Sequence, residues 1–225
     1  MSCRRFVVAV LIVLLIGSPI VAGAAVAAPP ANQLQGRALL DALRAGGYVL
    51  LFRHAITDRA QRDADLKNLE NCATQRNLSE QGRQQAAAIG EAFRQLHIPV
   101  AAVLASPYCR TLDTARLAFG VAEPSADLIS ELSDDAPGSR ERLTAALRSM
   151  LAQPPESATN TVLVTHVLNI ESALGFEIEE GEAIVAGPDG VGGYTIVARV
   201  LADGWLPLDV LSGEPGWAFA RGSGN

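Results

Sequence analysis

Lysine is nearly absent from this chain. Lys67 is the only one among 18 basic residues, and the sequence carries just three cysteines, three histidines and 5% aromatic residues. Each scarcity excludes something. With a net charge of −6 and no cationic run, the chain has no surface for non-specific nucleic-acid binding, so no nucleic-acid partner is expected. Three cysteines without a CxxC pair, and three histidines without an H-E-x-x-H helix, form no metal-binding set, so neither a metal nor a cofactor is expected. The G-x-S-x-G elbow of serine hydrolases and the glycine-rich loops of nucleotide-binding folds are also missing. There are no internal repeats. What remains is an arginine-rich basic set, and arginine is the side chain whose fork matches phosphate oxygens.

One long apolar run is present, Phe6 to Ile16, behind Arg4 and Arg5 and ahead of Gly17, Ser18 and Pro19. With Ala25-Val26-Ala27 as a small-residue cleavage pattern, residues 1–27 read as a signal peptide. The run falls short of the ~20 residues of a spanning helix, so a membrane is involved only if the segment stays uncleaved as an anchor. The expected location is outside the cytoplasm, periplasmic or secreted. Cleavage would remove Cys3 and leave Cys72 and Cys109, an even pair that makes a disulfide the expectation in an oxidising compartment.

Residues 28–46 read as a linker followed by a helix over Gly36 to Ala45, with Leu39, Leu40 and Leu43 on one face and Gly46-Gly47 as its stop. Residues 47–225 suit one domain, with a core at 47–175 and a C-terminal hairpin region at 176–211. Three short apolar runs read as buried strands: Tyr48 to Phe52, Ala101 to Ala105 and Thr161 to Thr165. Thr57 to Asn77 is polar and aperiodic, too long for a plain connection, and is expected to cover a site. Ser79 is the expected cap of the helix behind it. Asp127 to Leu132 reads as a weak strand or an extended piece, Ser139 to Leu151 as an amphipathic helix, and a short helix is expected near Asn169. Residues 182–201 read as a hairpin turning at Gly187 to Gly190, and Trp205 to Val210 as a further strand. The pattern predicts an α/β fold, a three-layer α/β/α sandwich with a mostly parallel central sheet plus a C-terminal β-hairpin.

Each buried run ends by delivering a charged or titratable group: Arg53-His54, then Arg110 four residues beyond Ser106, then His166. In a parallel sheet these ends share one edge, where open α/β sheets bind ligands. A histidine at a strand end can equally be an ordinary hydrogen-bonded residue. Three such ends using two of the three histidines point instead to an anion site suited to phosphate. His97 reads as a surface residue.

Four segments resemble the histidine phosphatase superfamily, which includes the cofactor-dependent phosphoglycerate mutases. Leu51-Phe52-Arg53-His54-Ala55 is similar to its Arg-His-Gly signature, with alanine in place of glycine. Leu78-Ser79-Glu80-Gln81-Gly82 through Ala86 and Ser106-Pro107-Tyr108-Cys109-Arg110 through Ala115 resemble its next two motifs. Val164-Thr165-His166 resembles the second-histidine strand, although Val167-Leu168-Asn169 replaces the usual glycines. The resemblance implies a phosphohistidine on His54, a phosphoryl group held by Arg53, Arg110 and His166, and a small phosphorylated substrate. It also implies an acid that protonates the leaving oxygen. Position favours Glu131, with Asp134 and Asp135 as alternatives. The expected activity is phosphomonoester hydrolysis without a metal; a mutase-like phosphotransferase or a silent phosphate-binding protein are the alternatives.

Overall fold

The apolar run before His54 is continuous because both of its faces are covered. In the computed structural model, which describes residues 33–209, β1 is Val49–Arg53 and its first four residues are fully buried. Leu50 and Phe52 pack with Leu40 and Leu43 of α1 (Gly36–Ala45), Ile89 and Phe93 of α2 (Glu80–Gln95), and Ala115 of α3 (Cys109–Phe119). Val49 and Leu51 pack on the opposite side with Leu147 and Leu151 of α4 (Ser139–Leu151) and Ile170 of α5 (Val167–Leu174). Full burial of each large side chain contributes about 1.5–3 kcal/mol. A strand alternating polar and apolar residues would forfeit that term on one face. Helices therefore lie on both sides of the sheet, as expected for three layers.

Five more strands complete the sheet: β2 (Val100–Ala105), β3 (Glu123–Pro124), β4 (Asn160–Thr165), β5 (Ala183–Pro188) and β6 (Tyr194–Val200). Their order is β3-β2-β4-β1-β5-β6. β4 runs parallel to both β1 and β2, and β3 parallel to β2, whereas β5 and β6 form an antiparallel hairpin against β1. The three strands that deliver site residues are thus neighbours pointing the same way, so their carboxyl ends share one edge.

Local signals act where the sequence places them. The Ser79 hydroxyl accepts from the Gly82 N–H at 3.0 Å and caps α2. Gly82 also lets the helix start against the segment after His54, because a Cβ there would lie 1.8 Å from the Ile56 carbonyl oxygen. Gly46, at φ 80°, closes α1 by donating to the Leu43 carbonyl at 3.2 Å.

Three expectations need correction. Asp127–Leu132 is not a strand: a 3-10 turn spans Ala126–Leu128. Its carbonyls are met by side chains, with Thr165 Oγ1 donating to Leu128 and Asn169 Nδ2 to Ile129, both at 2.8 Å. Trp205 to Asp209 is likewise no strand; Leu206–Asp209 is a 3-10 turn behind the buried Trp205 ring, which stacks on Phe52 at 5.7 Å. The hairpin turns at 189–193 instead of 187–190, because the Asp189 carboxylate accepts from the N–H groups of Val191 and Gly193 at 2.9 and 2.8 Å. The leader-like residues 1–27, Cys3, most of the linker and the end of the hairpin region lie outside the described residues.

Candidate active site

His54 follows β1 and is fixed by its backbone before its side chain acts. Its N–H donates to the Thr165 carbonyl of β4 at 3.1 Å, and its own carbonyl accepts from Gly181 at 3.0 Å. The imidazole is buried, and Nδ1 lies 2.9 Å from the Ala55 carbonyl. A carbonyl can only accept, so Nδ1 carries the proton and Nε2 is the basic nitrogen, with no partner among the described residues. Burial, the Arg110 guanidinium and, after them, Arg53 and Arg76 lower its pKa from 6.5 to about 3. Glu180 Oε1 stands 4.0 Å from Nδ1 but does not reverse this, because Glu180 also serves the Thr57 hydroxyl at 2.8 Å, Arg53 at 3.9 Å and Arg59 at 3.6 Å. His54 is a neutral imidazole at physiological pH.

The sheet edge brings the other three residues of the cluster to it. His166 caps α5, is buried, and lies 5.7 Å from His54 between ring centroids. Its Nδ1 accepts from Arg110 Nη2 at 3.3 Å, which leaves Nε2–H to donate to the Ser106 hydroxyl at 2.8 Å. Burial first, then Arg110, holds this imidazole well below its ordinary pKa as well. Arg110 sits in the first turn of α3 above the Tyr108 ring, 4.3 Å from its centroid. Arg53 Nη1 donates to the Ile178 carbonyl at 2.8 Å. The Nε atoms of Arg53, Arg76 and Arg110 are shut off from solvent and have no protein partner. Unmet buried donors of one charge type are the signature of a site for an anion.

Several participants were not legible in the sequence. Asp63, from the segment covering the edge, accepts from Arg110 Nη1 at 3.0 Å. Arg76, from the same segment, is close enough that its charge depresses both histidines. Thr114 accepts from the Ala55 N–H at 3.0 Å and donates to the Arg110 carbonyl at 2.7 Å, joining the His54 loop to α3. The Cys72–Cys109 disulfide, which the sequence did lead one to expect, is present with Cα atoms 5.7 Å apart and fastens the cover to the residue before Arg110.

None of the three candidate acids lines the cavity beside Arg110. Glu131 pairs through Oε2 with Arg140 at 3.2 Å, and its buried Oε1 has no partner; Ser130 and Leu132 on either side line the cavity beside Arg110, where Glu131 itself does not. Asp134 pairs with Arg142 at 2.7 Å, and Asp135 is exposed. The carboxylate that lines the cavity is Asp63. His97 is exposed beyond α2, outside the cluster.

The family model described as "Histidine phosphatase superfamily (branch 1)" matches residues 49–136. No curated protein sequence matches the chain significantly. Among solved structures, a mycobacterial glucosyl-3-phosphoglycerate phosphatase bound to inorganic phosphate superposes with a TM-score of 0.50 at 18% identity, covering 70% of this chain and 99% of the other. The protein histidine phosphatase SixA bound to tungstate gives 0.49 at 13% identity, covering 69% and 97%. A SixA-type structure from Agrobacterium tumefaciens gives 0.45 at 18%, covering 68% and 97%. At such identities the first of these likenesses speaks for the fold alone. Residues 49–136, the stretch that carries Arg53, His54 and Arg110, match the histidine phosphatase superfamily, and it is this part of the chain that the family model describes.

Proposed function

We propose that the protein is a metal-independent phosphomonoester hydrolase that works through a phosphohistidine on His54. The observation that carries this reading is the presentation of His54: neutral, held in one tautomer by the Ala55 carbonyl, and set among guanidinium groups. Nε2 attacks phosphorus while the bond to the leaving oxygen breaks, and that oxygen takes a proton from a carboxylic acid. Water then attacks phosphorus, the N–P bond breaks, and the carboxylate takes the proton of the water. His54 returns neutral.

Arg53 and Arg110 supply positive charge where the equatorial oxygens gather it, the part a metal plays elsewhere. His166 joins them by turning Nε2–H from the Ser106 hydroxyl to a phosphoryl oxygen. For the leaving-group proton the candidates are Glu131, whose buried Oε1 has no partner, and Asp63, which lines the cavity but would have to release Arg110 and take up a proton. Asp63→Asn and Glu131→Gln separate the two: the variant lacking the true acid loses more rate with a poor leaving group than with a nitrophenol, which needs no proton.

The reading takes this activity to lie outside the cytoplasm; the leader-like pattern of residues 1–27 and a disulfide, which persists in oxidising compartments, support it. The reading is tested by phosphate release from a phosphomonoester panel in the presence of a chelator. Wild type should release phosphate and His54→Ala should not; release that survives in His54→Ala, or that requires added metal, contradicts it.

A further inference from the structure

Among the described residues, Glu180 is the one carboxylate that stands within 4.0 Å of either imidazole of the cluster. Its side chain is only 9% exposed, and several contacts fix it in place. The Glu180 carbonyl accepts from Gln85 Nε2 at 3.1 Å, and Gln85 Oε1 accepts in turn from the Ile56 N–H at 3.1 Å. The next residue, Gly181, donates to the His54 carbonyl at 3.0 Å. Gly181 sits at φ 83°, and a Cβ there would lie 2.7 Å from the Gln85 side chain, so glycine lets this loop close on the residues around His54. The Thr57 hydroxyl then donates to Oε1 at 2.8 Å and aims the carboxylate at the Nδ1 side of the His54 ring, 4.0 Å away.

While His54 is neutral, the charge of Glu180 is shared between Arg53 Nη2 at 3.9 Å and Arg59 Nη2 at 3.6 Å, and it is the strongest influence raising the Arg53 pKa against burial. Phosphoryl transfer changes that balance. Nε2 gives its lone pair to phosphorus as the bond to the leaving oxygen breaks, and Nδ1 keeps its proton because the Ala55 carbonyl cannot take it. The ring is therefore a cation for the lifetime of the phosphohistidine. The other charged side chains that act on it, Arg110, Arg53 and Arg76, are positive as well. At the same step Arg53 gains the phosphoryl oxygens as its counter-charge, which frees Glu180 for the ring.

We infer that Glu180 is a positioning residue for phosphoryl transfer, its carboxylate being the counter-charge of the His54 ring while Nε2 carries the phosphoryl group. The inference rests on the hydrolase reading, in which His54 is the nucleophile. The effect has a direction. Ring charge builds as the N–P bond forms, so Glu180 lowers that barrier and favours the phosphorylated protein. Ring charge disappears as water breaks the N–P bond, so Glu180 gives that step no help. An opposite charge within about 4–6 Å typically favours the charged form of a group tenfold or more. Burial of the pair limits the screening that water would otherwise bring.

Rapid quench with a radiolabelled phosphomonoester measures how fast label enters the protein, and a chase with unlabelled ester measures how fast it leaves. In Glu180→Gln the ratio of formation to breakdown should fall about tenfold or more, with breakdown as fast as in wild type or faster. Glu180→Asp, which keeps the charge, should recover part of the ratio. Thr57→Val removes the hydroxyl that aims Oε1. It should lower the ratio in the same direction by less, and it carries the test if Glu180→Gln does not fold. Calorimetry with inorganic phosphate should show Glu180→Gln binding at least as tightly as wild type, because an anion beside Arg53 and Arg59 is gone. Both steps slowed alike together with weakened phosphate binding, or an unchanged ratio, overturns the inference; if label still sits on His54, the hydrolase reading stands. Wild type that places no label on His54 removes both.

Discussion

Asp63 holds Arg110 through Oδ1 at 3.0 Å, and Arg110 is 5% exposed at its side chain against 21% for Asp63. A guanidinium buried to that degree needs a counter-charge when the site is empty. Removing one partner of a buried pair typically costs 3–5 kcal/mol, and the partial exposure of Asp63 reduces that to about 2–3 kcal/mol here. Asp63→Ala should therefore lower the urea stability of the protein by that amount. Inorganic phosphate should restore a large part of the loss, since a bound dianion replaces the missing carboxylate. A stability loss that phosphate leaves untouched would contradict this pairing role.

The Cys72–Cys109 bridge spans a sequence separation of 37 and should be worth about 3–4 kcal/mol in the chain-entropy picture. Reduction should lower the melting temperature by on the order of 10 °C. It should also raise KM, because the bridge holds the cover that carries Asp63 and Arg76 against α3. Gln75, whose Oε1 accepts from the Cys109 N–H at 2.9 Å, limits how far the cover can lift. Thermal scans and kinetics of a Cys72→Ser/Cys109→Ser protein check both; an unchanged KM would show that the bridge is a remote staple only.

Both histidines of the cluster have folded pKa values below their unfolded value, so the unfolded chain binds more protons on acidification. Stability from this source is complete above pH 6.5 and is lost as the pH falls from there toward about 3. For His54 the loss by pH 5 should be about 2 kcal/mol. His54→Gln should remove that part of the slope, and bound phosphate should shallow it by offsetting the guanidinium charges. Urea midpoints at pH 7 and pH 5 read this directly; equal midpoints in wild type would mean that the imidazoles are not held neutral.

The sequence showed the cluster where the chemistry is tied to strand ends, and hid it where the chemistry comes from packing. Val49 to Phe52 and Val162 to Thr165 announce themselves because doubly covered strands are continuously apolar, and the residues at their ends, His54 and His166, must then share an edge. The bounds of α1 and α4 follow from leucine spacing and flanking glycine or proline. Asp63 and Arg76 gave no such signal. They sit in an aperiodic cover whose path is set by the disulfide and by contacts such as Asp58 N–H to the Asn77 carbonyl at 2.9 Å. The Asp127–Leu132 stretch has the apolar residues of a strand but finds its hydrogen bonds in Thr165 and Asn169 side chains, which no local pattern encodes. Glu131 stood at a plausible position along the chain, yet Arg140, brought near by the start of α4, holds its carboxylate.

The central chemical claim is that Nε2 of His54 is the atom that takes the phosphoryl group. Brief incubation with a radiolabelled phosphomonoester, an alkaline quench and peptide mapping measure this directly. The label should sit on the peptide containing His54, survive base and be lost in acid as a phosphoramidate is, and be absent from His54→Ala. An acid-stable label, or one that persists at full level in His54→Ala, would contradict it.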